Sequence, residues 1–177
     1  MNNVEYEIKV LDIDTTSVEQ DILRLGGQKI GEQKFKRYIF DVNPPTKNKW
    51  IRLRTDGQKT TLTLKINKSD SIDGTEEYET TVNDLNTTRQ ILLQSGLKQV
   101  SYQENNRLLF ELDGLEISID SWPQIPPYLE IEGDNEELVK TMLKKLGLDK
   151  QRTTSLPTKE VYKMYDLDLD KLNPLTF

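Results

Sequence analysis

Four short stretches of the sequence have the pattern Glu-x-Glu or Arg-x-Arg, which places like-charged side chains two residues apart. They are Glu5 and Glu7, followed by Lys9; Arg52 and Arg54; Glu77 and Glu79; and Glu130 and Glu132. In a β-strand, residues i and i+2 point to the same face, so each pair crowds like charges together. A counter-ion relieves this repulsion: carboxylate pairs suit a divalent cation, and arginine or lysine pairs suit phosphate groups. The spacing therefore indicates metal and phosphate chemistry.

The composition narrows this chemistry. The 177 residues include neither histidine nor cysteine and carry a net charge of −6. Catalytic triads and thiolate metal sites are thereby excluded, and oxygen ligands favour Mg²⁺, Mn²⁺ or Ca²⁺ over zinc. The acidic balance argues against a nucleic-acid partner, and no apolar run reaches the ~18 residues that cross a bilayer. The first residues lack the features of a signal peptide, so we expect a cytoplasmic protein with no membrane partner.

Hydrophobic periodicity predicts many strands and a few helices. The predicted strands are 4–12, 34–42, 49–55, 60–67, 76–83, 99–103, 107–112, 115–121 and 128–133, with turn-rich loops over 42–49 and 68–75. The predicted helices are 15–27, 84–96, 134–147 and a short one near Thr158. Thr16 and Glu19 have the spacing of a capping box, and Asp113-Gly114 predicts a hairpin. Antiparallel strands with inserted helices predict an α+β domain.

Charged and apolar residues alternate along nearly every predicted strand. Lys65, Arg107 and Asp120 extend the pattern that the like-charge pairs begin. Any one such strand is typical of a half-buried strand whose polar side is in water. The whole set, rich in like-charge pairs, instead suggests a closed barrel with its charged face turned inward. Its apolar side would then lie outside, beneath the helices, and its lumen would suit a metal–polyphosphate complex.

The order of these motifs resembles the CYTH superfamily, the triphosphate tunnel metalloenzymes. This superfamily includes class IV adenylate cyclases, thiamine triphosphatases and inorganic triphosphatases. The resemblance runs from residue 4 to about 147, through ExExK at 5–9, then IRLR, LTLK, EYE, Arg107, SID and LEIEG. It implies an eight-stranded antiparallel β-barrel that forms a tunnel, with helices packed outside. A single domain over 1–177 is expected, in which 148–177 is a less distinctive C-terminal tail with a short helix.

The resemblance also implies roles for individual residues. The implied metal ligands, for Mg²⁺ or Mn²⁺, are Glu5, Glu7, Glu130 and Glu132. The implied triphosphate ligands are Lys9, Arg52, Arg54, Lys65 and Arg107. The implied catalytic residues are Glu5, Glu7, Lys9, Glu79 and Asp120, with Glu77 a weaker acidic candidate. Either Lys159 or Lys163 could supply a further phosphate ligand. One departure is Asn105, because many members have Lys-x-Arg where this chain has Asn105-Asn106-Arg107.

These residues predict a metal-dependent triphosphatase acting on tripolyphosphate, thiamine triphosphate or a nucleoside triphosphate. An acid such as Glu5, Glu7 or Glu79 would orient the water that attacks the terminal phosphorus. An adenylate cyclase, which converts ATP to cyclic AMP and pyrophosphate, needs the same phosphate cradle and is the alternative. The charge missing at Asn105 favours hydrolysis. A non-catalytic binder of polyphosphate or of a nucleotide is a further alternative, and we expect a monomer or homodimer.

Three remaining features have simpler interpretations. The basic stretch KFKR, residues 34–37, lies either at the tunnel mouth or on plain surface. Trp50 and Trp122 are expected to pack at strand ends. The run DLDLDKLN, residues 166–173, alternates acids and leucines but lacks the glycine and final glutamate of an EF-hand loop. It is therefore predicted to be a solvated tail.

Overall fold

Nine β-strands pair into one antiparallel sheet in the computed structural model, which describes residues 6–67 and 75–177. The strands are β1 Tyr6–Val10, β2 Gln28–Thr46, β3 Lys49–Thr55, β4 Thr60–Asn67, β5 Thr75–Val82, β6 Gln99–Leu112, β7 Leu115–Ser121, β8 Tyr128–Gly133 and β9 Thr153–Thr154. Their order across the sheet is β5-β4-β3-β2-β6-β7-β8-β1-β9. With the helices described next, this confirms the α+β class.

Four α-helices and one 3₁₀ helix accompany the sheet in the described ranges. They are α1 Thr15–Arg24, α2 Leu85–Gln94, α3 Glu136–Lys145, α4 Thr158–Lys163 and the 3₁₀ helix Leu169–Lys171. Asp14, rather than the predicted Thr16, caps α1, because its carboxylate accepts a hydrogen bond from the Ser17 amide at 2.9 Å. Within the described chain, no helix has the length and apolar character needed to cross a bilayer.

The sheet does not close into the predicted eight-stranded barrel. Over the residues described, β5 and β9 form its two edges. The outer side of β1 pairs with Thr153 and Thr154 of β9 instead of with β5, and this leaves the ring open. The sheet is nevertheless strongly curved. Lys65 on β4 interacts electrostatically with Glu132 on β8, although strands five positions apart would be about 24 Å apart in a flat sheet.

The convex side of the sheet is apolar and carries the helices. Val18 and Ile22 of α1 and Val139 and Met142 of α3 share one core with β1, β6, β7 and β8. Leu92 of α2 packs in a second core formed with residues of β2, β3 and β4. The charged residues of the alternating strands are therefore left on the concave side. The inward charged face that the alternation predicts is present, in an open curved sheet.

One predicted break between strands is shorter than expected, and another is absent. Strand β2 continues to Thr46, into the predicted loop 42–49. The predicted strands 99–103 and 107–112 are one strand, β6. The long pairing of β2 with β6, from Gln28 opposite Glu111 to Phe40 opposite Gln99, holds the polar residues of β6 extended. The end of β2 is held instead by β3, where Thr46 lies opposite Lys49. The predicted Asp113-Gly114 hairpin is confirmed, with positive φ angles of 53° and 77°.

The C-terminal segment packs against one end of the sheet. Leu169 and Leu175 are buried with Trp122 and Tyr162, and the Tyr162 hydroxyl donates to the Pro123 carbonyl at 2.7 Å. The prediction of a solvated tail over 166–173 is therefore wrong. Its acidic residues are exposed or half-buried, but Leu169 joins a core that includes Trp122, Tyr162 of α4 and Leu175.

Candidate functional site

The strand register brings the predicted site residues that the structure describes to the concave face. Glu7 lies opposite Glu132, and Lys9 opposite Glu130, across β1 and β8. The other predicted residues follow on the same face of their strands: Arg52 and Arg54 on β3, Lys65 on β4, Glu79 on β5, Arg107 on β6 and Asp120 on β7. Glu5 lies outside the described residues. Seven strands thus contribute to one charged surface.

Three carboxylates form a compact cluster at one end of this surface. Glu7, Glu130 and Glu132 each offer an oxygen atom, and these three atoms lie within 4.8 Å of one another. Opposite ligands of Mg²⁺ are about 4 Å apart and those of Ca²⁺ about 5 Å, so this donor set fits a divalent cation. The Lys9 ammonium contacts Glu7 and lies 3.6 Å from Glu130. An internal cation therefore balances part of the cluster's charge.

Arg107 links this carboxylate cluster to β7. Its Nε and Nη2 atoms donate to the two oxygens of Asp120, each at 2.7 Å, and Nη2 also donates to Glu130 at 2.9 Å. Burial raises the pKa of Asp120 against the opposing effect of Arg107. For Glu130, burial also acts to raise the pKa, but Lys9 and Arg107 outweigh it and lower the pKa to about 2. The geometry makes Asp120 a residue that positions Arg107.

A second group of ion pairs lies on β3, β4 and β5. Arg52 is 3.6 Å from Glu77 and 3.5 Å from Glu79, and Lys65 contacts Glu77. The Thr63 hydroxyl donates to Glu79 at 2.7 Å. Burial and the nearby charge of Arg52 lower the pKa of Lys65 to about 8. In this group, Arg52 and Lys65 are paired with the carboxylates of Glu77 and Glu79, which are partly exposed to solvent.

Arg37 is a residue of the concave face that the sequence interpretation did not assign to the site. It is 9% exposed and lies on β2 directly opposite Arg54. Its Nη2 atom donates to the side-chain carbonyl of Asn105, and its guanidinium stacks 4.5 Å from the ring centre of Trp122. A signal was present in the sequence. Phe40 belongs to the convex core, so the alternation of β2 turns Arg37 inward.

A cavity of about 160 Å³ lies on the concave side of the curved sheet. Its walls include Phe35 of β2, Arg54 of β3, Arg107 of β6 and Glu116 of β7. Cavities that enclose drug-sized ligands measure about 300–1,000 Å³, so this space suits a smaller, charged group.

The two late lysines do not reach this surface. Lys159 contacts Asp170, and Lys163 is 2.7 Å from Glu160. Their side chains are 45% and 53% exposed, so both ammonium groups are paired at the protein surface. The cations that the described structure gathers on the concave face are those of β1, β2, β3, β4 and β6.

The sequence of this chain is similar to those of known proteins. The sequence profile of the CYTH domain matches residues 3–161. A protein of Methanocaldococcus jannaschii, "Putative adenylate cyclase MJ0240", is 30% identical over 134 residues, which are 73% of this chain and 76% of that protein.

Two solved structures show the fold. The structure described as "a putative adenylate cyclase" from Vibrio parahaemolyticus matches with a TM-score of 0.78 at 14% identity, over 92% of this chain and 99% of that chain. A "putative adenylyl cyclase" from Hippeastrum, described as having a dominant triphosphatase activity, matches with a TM-score of 0.60 at 14% identity, over 92% and 95% of the two chains. At such identities the likeness concerns the fold, since one fold hosts many functions.

Proposed function

The chain belongs to the CYTH family, and on that premise we propose that it is a divalent-metal-dependent triphosphatase that acts on the concave face of the curved sheet. One observation carries the proposal: the concave face holds a cluster of three carboxylates beside basic side chains of several strands, and Arg107 donates to one of these carboxylates, Glu130, at 2.9 Å. Phosphoryl transfer requires chiefly positioning and neutralisation of charge, which this arrangement can supply without histidine or cysteine.

The basic residues would bind the phosphate oxygens. These residues are Lys9, Arg52, Arg54, Lys65 and Arg107. Arg107 is held in place by its paired contacts with Asp120, so its position is set before a ligand arrives. Such preorganised donors stabilise developing charge at little cost of reorganisation.

Glu7, Glu130 and Glu132 would hold the cation, with Glu5 as a further proposed ligand and Mg²⁺ or Mn²⁺ as the proposed ion. A bound divalent cation would neutralise charge on the phosphate oxygens and polarise them. Lys9 contacts Glu7 in the ligand-free protein. With Glu7 engaged by a cation, the Lys9 ammonium would be available to bind a phosphate oxygen.

Glu79 is the carboxylate that we assign to the attacking water. Its side chain is 36% exposed, and it accepts a hydrogen bond from Thr63. Burial acts to raise its pKa, but the Thr63 hydrogen bond and Arg52 hold that pKa below the ordinary value. Glu79 is therefore charged at neutral pH and able to accept a proton from water. Asp120 is a poorer choice, because Arg107 engages both of its oxygens.

Adenylate cyclase activity is the second candidate. The name of the 30% identical relative from Methanocaldococcus jannaschii favours it. The charge that is missing at Asn105 no longer separates the two reactions, because Arg37 supplies a cation beside that residue. Both reactions require the same phosphate ligands, so the products of the reaction decide between them.

The decisive experiment incubates the purified protein and Mg²⁺ or Mn²⁺ with tripolyphosphate, thiamine triphosphate or ATP in separate reactions. Phosphate, pyrophosphate and cyclic AMP are then measured. Release of phosphate is the expected result. Cyclic AMP with pyrophosphate would identify the cyclase instead. Ligand binding without any product would identify a non-catalytic binder.

A further inference from the structure

Three buried side chains on the concave face, Arg37, Asn105 and Trp122, have no role in the proposed hydrolysis. Together with the proposed phosphate ligand Arg54, which is half-buried beside them, we call them the Arg37 cluster. Arg37 donates to Asn105, stacks on Trp122 and lies opposite Arg54 across β2 and β3. Arg37, Asn105 and Trp122 are each at least nine-tenths buried.

The cluster contains hydrogen-bond donors that lack acceptors. Arg37 Nε, Asn105 Nδ2 and Trp122 Nε1 are buried nitrogen atoms with no partner among the residues that the structure describes. All three are N–H donors. A buried donor without an acceptor costs free energy, and three around one guanidinium together point to a missing acceptor.

The charge of the cluster is also uncompensated. In the described ranges, no carboxylate oxygen lies within 4.0 Å of the Arg37 or Arg54 guanidinium, whereas Arg52 and Arg107 each have such partners. Burial, then Arg52 and Arg54, lower the pKa of Arg37 well below its ordinary value. A buried and a half-buried cation that face each other without a directly paired anion are electrostatically unfavourable.

We propose that the Arg37 cluster is a subsite for one phosphoryl group of the substrate, at the end of the triphosphate farthest from Glu7, Glu130 and Glu132. This inference rests on the proposed function. A phosphoryl group supplies both what the cluster lacks, acceptor oxygens and negative charge. The cluster offers guanidinium forks and N–H donors, which match a phosphate better than a nucleobase that presents donors of its own.

The position of the cluster defines its place in the substrate. Asn105 precedes Arg107 by two residues on the same face of β6, and Trp122 follows Asp120 by two residues. Because β6 and β7 are antiparallel, both residues lie on the same side of the Arg107–Asp120 pair. The cluster is therefore one layer farther along the sheet than the Arg107–Asp120 pair, on the side away from Glu132. Trp122 packs edge-on against Tyr162 in the core formed by the C-terminal segment, so that core lies behind the subsite.

A chain-length preference follows from this placement. A diphosphate has one phosphoryl group fewer than a triphosphate with which to extend from the carboxylate cluster toward Arg37. The cluster also explains why Asn105 replaces the lysine that many CYTH members have at this position. In this chain the cation at that place is Arg37 of β2, and Asn105 accepts a hydrogen bond from it.

The test measures binding by isothermal titration calorimetry in EDTA, where no turnover occurs, with tripolyphosphate and pyrophosphate as probes. Arg37→Gln is compared with wild type and with Arg24→Gln, a matched control at a residue whose side chain is 73% exposed. We expect Arg37→Gln to weaken tripolyphosphate binding roughly 10- to 100-fold, the effect of one charged hydrogen bond, and pyrophosphate binding by much less. The control should bind like wild type.

A second readout separates ligand binding from a structural role. Removal of an uncompensated buried charge should raise the Tm of the ligand-free protein, while it reduces the Tm increase caused by tripolyphosphate. Arg37→Lys keeps the charge and loses the planar fork, so it should bind tripolyphosphate with an intermediate affinity.

The binding measurements separate failure of the subsite from failure of the proposed function. If wild type binds tripolyphosphate and Arg37→Gln binds it equally well, the subsite is refuted, the donors are satisfied by water, and the proposed function stands. If wild type does not bind tripolyphosphate in EDTA or when Mg²⁺ or Mn²⁺ replaces EDTA, the proposed function and the subsite both fail. Addition of Asn105→Lys to Arg37→Gln returns a cation to β6 and should restore part of the lost affinity. Absence of any recovery would count against the relocated charge.

Discussion

Arg37 on β2 and Arg54 on β3 lie directly opposite each other, and no carboxylate in the described part of the chain pairs with either of them. Directly opposed like charges destabilise a sheet, and burial increases the cost. Their neighbours Arg52 and Arg107 have carboxylate partners. The ligand-free protein thus retains unfavourable electrostatics at the place where an anion would relieve them, a trade of stability for function.

Substitution of Arg54 should make this trade measurable. Arg54→Met keeps apolar contact with the Phe35 ring, which lies 4.4 Å from the guanidinium carbon, and removes the charge. We expect the free energy of unfolding to rise by about 0.5–1 kcal/mol in urea titrations, together with loss of stabilisation by tripolyphosphate. Arg152→Met, at a half-exposed side chain, is the control and should change neither quantity. A lower stability for Arg54→Met would contradict the account of opposed charges.

The carboxylate cluster can be tested through Glu132. Glu132→Ala removes one of three clustered oxygen donors, and we expect metal-dependent turnover to fall at least 100-fold while circular dichroism shows a folded protein. Glu5→Ala is predicted to have the same effect. Glu136→Ala, on an exposed part of α3 where Glu136 pairs with Lys140, should retain full activity. Wild-type rates in Glu132→Ala would rule out the proposed metal site.

The affinity for phosphate should depend on the protonation of Lys65. Burial and Arg52 lower its pKa to about 8, whereas an unfolded lysine titrates near 10.4. Between these values the unfolded chain binds more protons, so this residue's contribution to stability rises with pH in that window. Phosphate binding needs the charged form and should weaken as the pH rises through about 8. Calorimetric titrations from pH 7 to 10 would show this.

Lys65→Arg is the matched variant for this pH dependence, because a guanidinium stays charged throughout the range. The ratio of the tripolyphosphate dissociation constants of wild type and Lys65→Arg should increase above pH 8. A ratio that stays constant to pH 10 would show that Lys65 does not titrate in this range or does not contact the ligand.

Asp120 should affect both stability and substrate binding through its contacts with Arg107. Asp120→Asn keeps the shape of the side chain but leaves the buried Arg107 guanidinium without its two-point carboxylate partner. We expect a loss of about 3 kcal/mol in the free energy of unfolding, measured with urea, and a raised KM for the triphosphate. Asp113→Asn breaks an exposed pair with Lys145 and should cost under about 1 kcal/mol. Equal losses in the two variants would refute the positioning role.

The sequence predicted the charged face because that property is local. Strand alternation has a period of two, so a correct strand assignment places Glu7, Lys65 and Glu130 on one face whatever the topology. Barrel closure is not local. It depends on which segment takes the outer edge of β1, and Thr153–Thr154, a two-residue strand without a periodic signal, takes it.

Arg37 and the C-terminal leucines were missed for related reasons. Arg37 follows Phe35 on the same face, so β2 lacks the clean separation of charged and apolar faces that marked the other strands. Leu169 lies between two acids in the run 166–173, which was predicted to be a solvated tail, and Leu175 lies beyond that run. Their burial depends on a core that strands and α4 complete only in three dimensions.

Leu175 provides a test of the C-terminal core behind the Arg37 cluster. Its side chain is fully buried, its amide donates to the Tyr102 carbonyl at 3.0 Å, and its carbonyl accepts from the Glu104 amide at 2.9 Å. Leu175→Ala should therefore lower the free energy of unfolding by about 2–5 kcal/mol in urea. Leu138→Ala, at a leucine that is 47% exposed, should cost less than half as much. Because Trp122 belongs to the same core, Leu175→Ala should also weaken tripolyphosphate binding, measured by calorimetry at a temperature where the variant is folded. A small stability loss, similar to that of Leu138→Ala, would mean that the segment is peripheral and does not support the site.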